Sequence, residues 1–356
     1  MVVFAFIICV LASLALTPLV KKFAVAIGAV DKPNYRKVHQ RIMPRMGGLA
    51  IFISFLIGMV VLRPSAPYDL PLMNPAIIIG SFIIILTGVF DDRFELSAKV
   101  KLAGQIAAAL VVVVYGDVRV DFFNLPFGGT IEFNSFLSIP LTIIWIIAIT
   151  NAINLIDGLD GLAAGVSTIA LFTISFMAFL KGDVYVMSIA LIVAASTIGF
   201  LKYNFHPAKI FMGDTGALFL GFIISVVSLL GFKNITVVSL IIPIIILGVP
   251  ISDTIFAIIR RKLNKQPISA PDKSHLHHCL LRTGYTHKQT VLIIYMIAMM
   301  FGLAAIIFSM ATIWGAIIMM AVITLAIELF VESIGLISND YKPLLNFVRS
   351  GTKKNL

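Results

Sequence analysis

The chain has 356 residues, of which 60% are hydrophobic and only 12% are charged, and its formal net charge is +10. Because soluble domains carry about 25% charged residues, this composition excludes a water-soluble domain and predicts an integral membrane protein. The mean hydropathy of +1.05 supports that prediction. Basic loops of a membrane protein explain the positive charge, and no basic, aromatic-interleaved module indicates a nucleic-acid partner. Cys9 and Cys279 predict no structural disulfide.

Apolar stretches long enough to cross roughly 30 Å of hydrocarbon recur along the chain and predict an all-α polytopic bundle of about eleven transmembrane helices. No linker marks a second domain, so residues 1–356 are predicted to form one membrane-embedded domain. The predicted spans are Val2–Val20, Gly47–Leu62, Pro75–Phe90, Val100–Tyr115, Phe136–Thr150, Leu162–Leu180, Val184–Leu201, Gly216–Phe232, Ile235–Ile258, Val291–Met310 and Ile313–Val331.

The distribution of basic residues predicts the orientation of the bundle. Nearly all of the 27 lysines and arginines fall in one alternate set of loops and in the carboxyl-terminal tail. The positive-inside rule therefore predicts a multi-pass cell-membrane protein with its amino terminus outside and its carboxyl terminus in the cytoplasm. The first apolar stretch lacks a basic leader and an obvious cleavage site, so it is predicted to be a span and not a removable signal peptide.

The motif-like polar clusters all fall in the predicted cytoplasmic loops, where they could build a single cleft. Asp91-Asp92 ends the third span, and paired carboxylates attract a divalent cation, the usual chemistry for handling pyrophosphate. A solvated helix end would produce the same pair. Asp253 lies inside a predicted span, where an ionisable residue is a functional candidate by default.

The run from Asn151 to Gly161 is more specific, because Asn151, Asn154, Asp157 and Asp160 recur every three residues. Helical spacing brings such neighbours together, and the amides and carboxylates can bond sugar hydroxyls, a nucleobase or metal-bound water. The interspersed glycines let a ligand approach the backbone. A helix cap explains the run less well, because a cap requires a single Asn or Asp.

The segment Asn204-Phe-His206-Pro207 leads into Phe211-Met-Gly213-Asp214-Thr-Gly, which places a ring, a bare backbone position and a carboxylate at the start of the next helix. An anion is favoured at a helix amino terminus, and Asp214 is itself an anion. The pattern therefore predicts that Asp214 holds a metal ion that in turn holds phosphate. An aspartate that only caps the helix is the alternative.

A third polar loop contains His275, His277 and His278 beside Asp272. Their spacing could indicate zinc, but no cysteine motif supports a zinc site. Histidines that donate hydrogen bonds to phosphates, or pair with their charge, are the preferred interpretation. A solvated amphipathic loop is the alternative.

These motifs, in this order and over essentially the whole chain, resemble the polyprenyl-phosphate N-acetylhexosamine-1-phosphate transferases. The segments Asp31–His39, Met43–Gly48 and Pro267–His275 most resemble the branch that begins wall teichoic acid synthesis. The resemblance implies transfer of GlcNAc-1-phosphate from UDP-GlcNAc to undecaprenyl phosphate, with UMP as second product. Magnesium, or manganese in its place, is the implied cofactor, and relatives suggest a homodimer. A lipid phosphate must meet a soluble pyrophosphate here, so the site is expected at the cytoplasmic membrane interface.

The resemblance also implies residue roles. Asp214 would be the main magnesium ligand, Asp91 would position or deprotonate the lipid phosphate, and Asp92 would support the metal site. The implied residues of the nucleotide-sugar pocket are Asn151, Asn154, Asp157 and Asp160. Phe211, beside Gly213, would stack on uracil, and Lys101 and Asn204 would contact the uridine end. His277 and His278 would contact the diphosphate or the sugar, and Arg45 and His39 would close the cleft.

Two alternatives stay open at this stage. The muramoyl-pentapeptide branch of the same family carries Thr where this chain has Arg45, and three adjacent histidines where Leu276 interrupts them here, which disfavours a peptidoglycan precursor. A secondary transporter would place its groups near the bilayer midplane on repeated halves, but the acidic clusters gather at one face and no repeat is evident. Direct attack by the lipid phosphate is preferred over a covalent Asp91 intermediate, and the sugar epimer is open.

Overall fold

The fold is described by a computed structural model for residues 1–31, 42–124, 129–232, 237–267, 272, 274–337 and 341–346. Within that part the chain is almost entirely helical. The helices are α1 Val2–Ala26, α2 Gly48–Leu62, α3 Met73–Phe94, α4 Ala98–Leu110, α5 Ser135–Leu155, α6 Leu162–Leu180, α7 Val184–Asn204, α8 Gly213–Phe232, α9 Val237–Ile246, α10 Gly248–Leu263, α11 Leu276–Arg282, α12 His287–Met310 and α13 Ile313–Ile334. A π-helical turn, Val111–Tyr115, extends α4.

The predicted all-α polytopic membrane protein is confirmed. Among the described residues, nine helices are long and apolar enough to cross a membrane, and α2 is a shorter apolar helix. The helices long enough to span are α1, α3, α4 with its π-turn, α5, α6, α7, α8, α12 and α13. The total of about eleven spans stays a prediction.

The predicted span Ile235–Ile258 is divided in the structure. Helix α9 ends at Ile246 and α10 begins at Gly248, with Leu247 between them. Pro243 and Pro250 flank the division, and a proline cannot donate the backbone hydrogen bond that a continuous helix needs. The division gives α10 its own start close to Asp253, and α10 ends in a basic turn.

Helix α8 lies at the centre of the bundle, packed against α2, α3, α5, α6 and α7. Glycines let its backbone approach its neighbours: a Cβ at Gly88 of α3 would overlap the Thr215 backbone, and a Cβ at Gly48 of α2 would overlap Gly216. Such close approach by small residues is how helices associate in membranes, where lipid is as apolar as leucine. Residue 214 therefore starts a helix that neighbours hold on nearly every side.

Two short antiparallel hairpins lie between helices. Strand β1, Val30–Asp31, pairs with β2, Met43–Pro44, and strand β3, Phe122–Asn124, pairs with β4, Thr130–Glu132. The segment after β2 continues into backbone bonds with the start of α8: the Phe211 amide donates to the Pro44 carbonyl at 2.8 Å, and the Gly47 amide donates to the Phe211 carbonyl at 3.0 Å. The loop that carries Arg45 is thereby fastened to the loop that carries Phe211.

Candidate active site

Four side chains from four helices meet at one end of the bundle, and we call them the acidic centre: Asp91 of α3, Lys101 of α4, Asn154 of α5 and Asp214 of α8. The Lys101 ammonium lies 3.1 Å from an oxygen of Asp91 and also forms an ion pair with Asp214. The Asn154 amide donates to the other Asp214 oxygen at 3.2 Å. The structure thus brings three of the predicted motifs into direct contact.

Lys101 lies inside the acidic centre. The resemblance implies a contact with the uridine end of the substrate, whereas the structure puts the ammonium between Asp91 and Asp214. A cation at this position balances part of the carboxylate charge and can bond phosphate oxygens. The geometry therefore favours a phosphate contact for Lys101.

Asp92 is buried, and both of its oxygens are bonded to the start of α8. One oxygen accepts from the Asp214 amide at 3.0 Å, and the other accepts from the Thr215 amide at 3.1 Å and from Thr215 Oγ1 at 2.6 Å. Gly213 has a φ of +71°, and a Cβ there would overlap the Asp92 carboxylate. This arrangement stabilises the free amides of the helix amino terminus and positions Asp214. The predicted support of the metal site by Asp92 stays a prediction.

Asp91 differs from its neighbour, because it faces charged side chains. One oxygen accepts from the Leu96 amide at 2.9 Å just past the end of α3, and the other meets Lys101. Asp91 also lies within hydrogen-bond reach of Asp214. The two adjacent aspartates therefore have different roles: Asp92 binds the start of α8, and Asp91 belongs to the acidic centre.

Asn151 belongs to an amide pair just below the acidic centre. Its Nδ2 donates to Gln105 Oε1 at 2.7 Å and to the Ile147 carbonyl at 2.8 Å, and Gln105 Nε2 donates back at 3.3 Å. The pair joins α4 to α5. Gln105 was not predicted; the signal that could have found it is its place four residues after Lys101, on the same face of α4.

Asp157 lies in the loop between α5 and α6, where its backbone amide donates to the Asn154 carbonyl at 3.2 Å. Burial, together with the negative charges of Asp214 and Asp92, raises the pKa of the Asp157 carboxyl to about 8, although Arg45 opposes the shift. Asp157 therefore binds a proton more readily than a free aspartate does, and an added positive charge nearby would stabilise its carboxylate form.

Asn204 is buried, and both polar atoms of its amide have a backbone partner. Its Oδ1 accepts from the Gly161 amide at 3.1 Å, and its Nδ2 donates to the Ile210 carbonyl at 3.0 Å. The amide therefore ties the loop before α6 to the loop before α8. The predicted uridine contact of Asn204 stays a prediction, since its amide has a second N–H and a second oxygen lone pair.

Asp160 is also bonded to the loop before α8. One of its oxygens accepts from the Ala208 amide at 3.0 Å and lies 2.8 Å from His206 Nδ1. The structure does not place Asp160 in the acidic centre. Its predicted contact with a nucleotide sugar stays a prediction.

The histidine loop is anchored by α10. Asp253 is buried and accepts from the Leu276 amide at 2.8 Å, and its other oxygen lies 2.9 Å from His275 Nδ1. The His277 ring packs on Gly158, where a Cβ would overlap it. Burial, assisted by the neighbouring His278, lowers the pKa of the His277 imidazole to about 3, so this ring is neutral at pH 7. Burial lowers the pKa of His278 as well.

Arg45 lies on the opposite side of the carboxylates. Its guanidinium pairs with Asp31 at 2.9 Å. Although burial opposes it, the negative charges of Asp31, Asp92 and Asp214 raise the pKa of the Arg45 guanidinium. His39 lies outside the described residues, and the stacking of Phe211 on uracil stays a prediction.

The segment from 74 to 232, which contains the acidic centre, matches glycosyl transferase family 4. Over 355 residues the chain is 52% identical to the probable undecaprenyl-phosphate N-acetylglucosaminyl 1-phosphate transferase of Bacillus subtilis (strain 168), covering 99% of this chain and 98% of the relative. The chain belongs to glycosyl transferase family 4. This family membership confirms the resemblance seen in the motifs.

Two further relatives have lower identity to this chain. A decaprenyl-phosphate N-acetylglucosaminephosphotransferase of Mycobacterium tuberculosis (strain ATCC 25618 / H37Rv) is 37% identical over 340 residues, covering 86% of this chain and 84% of the relative. The undecaprenyl-phosphate alpha-N-acetylglucosaminyl 1-phosphate transferase of Escherichia coli (strain K12) is 29% identical over 283 residues, covering 77% and 75%. The predicted reaction class, glycosyl-1-phosphate transfer, is confirmed.

Proposed function

We propose that this family 4 protein transfers GlcNAc-1-phosphate from UDP-GlcNAc to undecaprenyl phosphate and releases UMP. The observation that carries the proposal is the acidic centre, in which Asp91, Lys101 and Asp214 meet at one end of a membrane-spanning bundle. A lipid phosphate and a soluble nucleotide can reach each other only at such an interface. The printed names of the relatives support this donor and acceptor.

Magnesium is the proposed cofactor. Asp214, Asp91 and Asp157 offer hard carboxylate oxygens, which Mg²⁺ prefers, and manganese accepts the same donors. The carboxylates of Asp91, Asp157 and Asp214 outnumber the nearby cations Lys101 and Arg45, and Arg45 also pairs with Asp31. We assign the ion to Asp214 and Asp91. When bound, it would neutralise charge on the diphosphate.

The side chains divide the remaining work. An oxygen of the lipid phosphate attacks the β-phosphorus of the nucleotide sugar, a new P–O bond forms, and the bond to the bridging oxygen breaks as UMP leaves. Lys101 and Arg45 stabilise the negative charge that develops on the leaving UMP. His277 is neutral, so it contributes a hydrogen bond and not a charge.

Direct attack by the lipid phosphate is the preferred scheme. Both oxygens of Asp91 have partners, the Leu96 amide and the Lys101 ammonium. Bonds to positive donors reduce the nucleophilicity of a carboxylate, which disfavours a covalent phospho-aspartate. Asp91 then orients the lipid phosphate.

We also propose that the reaction occurs at the cytoplasmic face of the cell membrane, with the amino terminus outside. The bias of lysine and arginine toward the loops at the acidic-centre end supports this orientation. The loop segments that resemble the teichoic acid branch support a role in starting wall teichoic acid synthesis. A homodimer stays a prediction.

The experiment that tests the proposal measures UMP release by the purified protein in detergent with Mg²⁺ and undecaprenyl phosphate. We expect UMP with UDP-GlcNAc and none with UDP-MurNAc-pentapeptide, and UDP-GalNAc tests the choice of sugar epimer. Omitting the lipid phosphate is the matched control, and UMP release without it would contradict direct attack. UMP release with only the pentapeptide donor would move the protein to the muramoyl branch. If none of these UDP-sugars yields UMP, the proposal is overturned.

A further inference from the structure

A second group of side chains with metal-binding chemistry lies apart from the acidic centre. It consists of Asp160 in the loop between α5 and α6, His206 in the loop between α7 and α8, and His287 at the start of α12. One nitrogen from each histidine and one carboxylate oxygen all lie within 4.8 Å of one another. The two imidazole rings stack with centroids 4.2 Å apart. Three segments distant in sequence therefore present ligand atoms to one point.

The His287 ring supplies an independent observation. Its Nε2 is buried and has no hydrogen-bond partner among the residues that the structure describes. A neutral imidazole can bind a metal ion through an unpartnered nitrogen lone pair while its other nitrogen donates to a neighbouring group. Metal-bound histidines commonly have this arrangement, in which one ring nitrogen donates to a carbonyl and the other binds the ion. A buried nitrogen of this kind indicates a ligand that accepts its lone pair.

We propose that Asp160, His206 and His287 bind a divalent transition metal, with Zn²⁺ as the best fit. Two imidazole nitrogens and one carboxylate oxygen are a common zinc ligand set, and water completes a tetrahedron. Magnesium does not suit this set, because it prefers oxygen ligands and near-ideal octahedral geometry. The site therefore selects a different ion from the one proposed for the acidic centre.

Small movements bring the ligands to bonding positions. Zinc lies about 2.0–2.1 Å from a histidine nitrogen, so ligand atoms around it are closer together than the present 4.8 Å limit. The His206 side chain is 40% exposed and can move toward the other two. Its bond to Asp160 already holds the imidazole beside the carboxylate.

The place of the site indicates what the metal does. Tyr295, two turns into α12, donates to the Gly161 carbonyl at 2.5 Å, so α12 already contacts the loop that carries Asp157. A metal bound to His287 adds a second connection between the amino-terminal end of α12 and this loop. The ion is thus a structural metal that cross-links the loops flanking the acidic centre.

The test uses full-length untagged protein in detergent, stripped with a chelator and titrated with Zn²⁺ by calorimetry. We expect one Zn²⁺ per chain and a higher unfolding temperature when it is bound. His206→Gln and His287→Gln should each lower Zn²⁺ affinity at least about 10-fold. A roughly 1,000-fold molar excess of Mg²⁺ should leave the zinc signal intact.

His278→Gln is the matched control, because it removes a histidine from the neighbouring loop and should retain Zn²⁺ affinity. Asp214→Asn should retain it too, which separates this site from the acidic centre. Zinc binding that survives the double variant H206Q/H287Q, or that disappears in His278→Gln, would overturn the proposal. If the variants fail to fold, cobalt bound to the wild-type protein decides: the absorption bands of tetrahedral Co²⁺ support the site, and their absence refutes it. UMP release is scored separately and does not depend on this outcome.

Discussion

Polar side chains in two neighbouring regions of the protein have different kinds of partner. In the acidic centre, Asp214 is held by the side chains of Lys101 and Asn154. In the loop region behind it, Asn204 is held by the backbone of Gly161 and Ile210. A side-chain partner can be exchanged for a substrate phosphate or a metal ion, whereas a backbone partner cannot leave without deforming a loop. The partner, more than the residue type, distinguishes groups that react from groups that position.

The largest effect is expected at Asp214. Asp214→Asn keeps the shape but removes the charge, so UMP release should fall by about 10³-fold or more. The unfolding temperature in detergent should change little, because the Asp92 bonds to the start of α8 involve the backbone amide of residue 214. Retained turnover in folded protein would remove Asp214 from the proposed metal site.

Lys101 gives the next largest effect. Lys101→Met removes the only ammonium paired with Asp91 and Asp214 in the described part of the chain, and turnover should fall about 10²-fold. Lys99→Met is the matched control, since Lys99 is exposed and two residues away. Equal losses in both variants would show that general charge, and not the ion pair, matters.

A smaller loss of activity is expected at Gly158. In Gly158→Ala the new methyl would overlap the His277 ring and displace it, and we expect roughly 10-fold slower UMP release. Gly315→Ala is the control, because a Cβ there meets its neighbours at ordinary contact distances. Unchanged kinetics in Gly158→Ala would separate His277 from the reaction.

Asn204 tests the positioning side of the comparison. Asn204→Ala leaves two buried backbone groups without partners, which costs about 1–3 kcal/mol each. Thermal unfolding in detergent should shift downward, while turnover per folded molecule should fall far less than in Asp214→Asn. A loss of turnover without a change in stability would instead support the predicted uridine contact.

A pH dependence of stability is also expected at Asp157. Its pKa of about 8 in the folded protein exceeds the unfolded value near 3.9. As pH rises from about 4 to about 8, the unfolded chain releases this proton before the folded protein does, so the contribution of Asp157 to stability decreases with pH.

Asp157→Asn should remove that decrease. The measurement is the unfolding temperature between pH 5 and pH 8 in the presence of chelator, compared for the two proteins. Parallel curves of unfolding temperature against pH for the wild-type protein and Asp157→Asn would show that groups already in the protein neutralise the Asp157 carboxylate. That result would weaken the proposed role of Asp157 in the metal site.

Much of the fold was predictable, because apolar length is a strong local signal in a membrane protein. Most predicted spans match helices within a few residues, as in Leu162–Leu180, which coincides with α6. The division at Leu247 was not predicted as two helices, although Pro243 and Pro250 mark it. Apolar composition continues through the break, so hydropathy alone could not separate α9 from α10.

Within the site, the sequence indicated which residues carry the chemistry but not their partners. Asp91 and Asp92 are adjacent and identical, yet one faces Lys101 and the other holds the start of α8. Nothing local distinguishes them, since the difference depends on how α3 packs against α4 and α8. Gln105 escaped prediction for the same reason, because its importance comes from contact with Asn151 of α5.

The sequence by itself determined the solvent, the approximate spans and the grouping of polar motifs at one predicted face, because these depend on composition and local order. Tertiary structure alone decided which carboxylates pair with Lys101 and that the Asn204 amide bonds to the backbone of two loops. It also decided that His206 and His287 stack beside Asp160. Residues 206 and 287 are far apart in the chain, and only the packing of α12 beside the loop before α8 brings their rings together. Contacts between distant segments arise from packing, which no local pattern encodes.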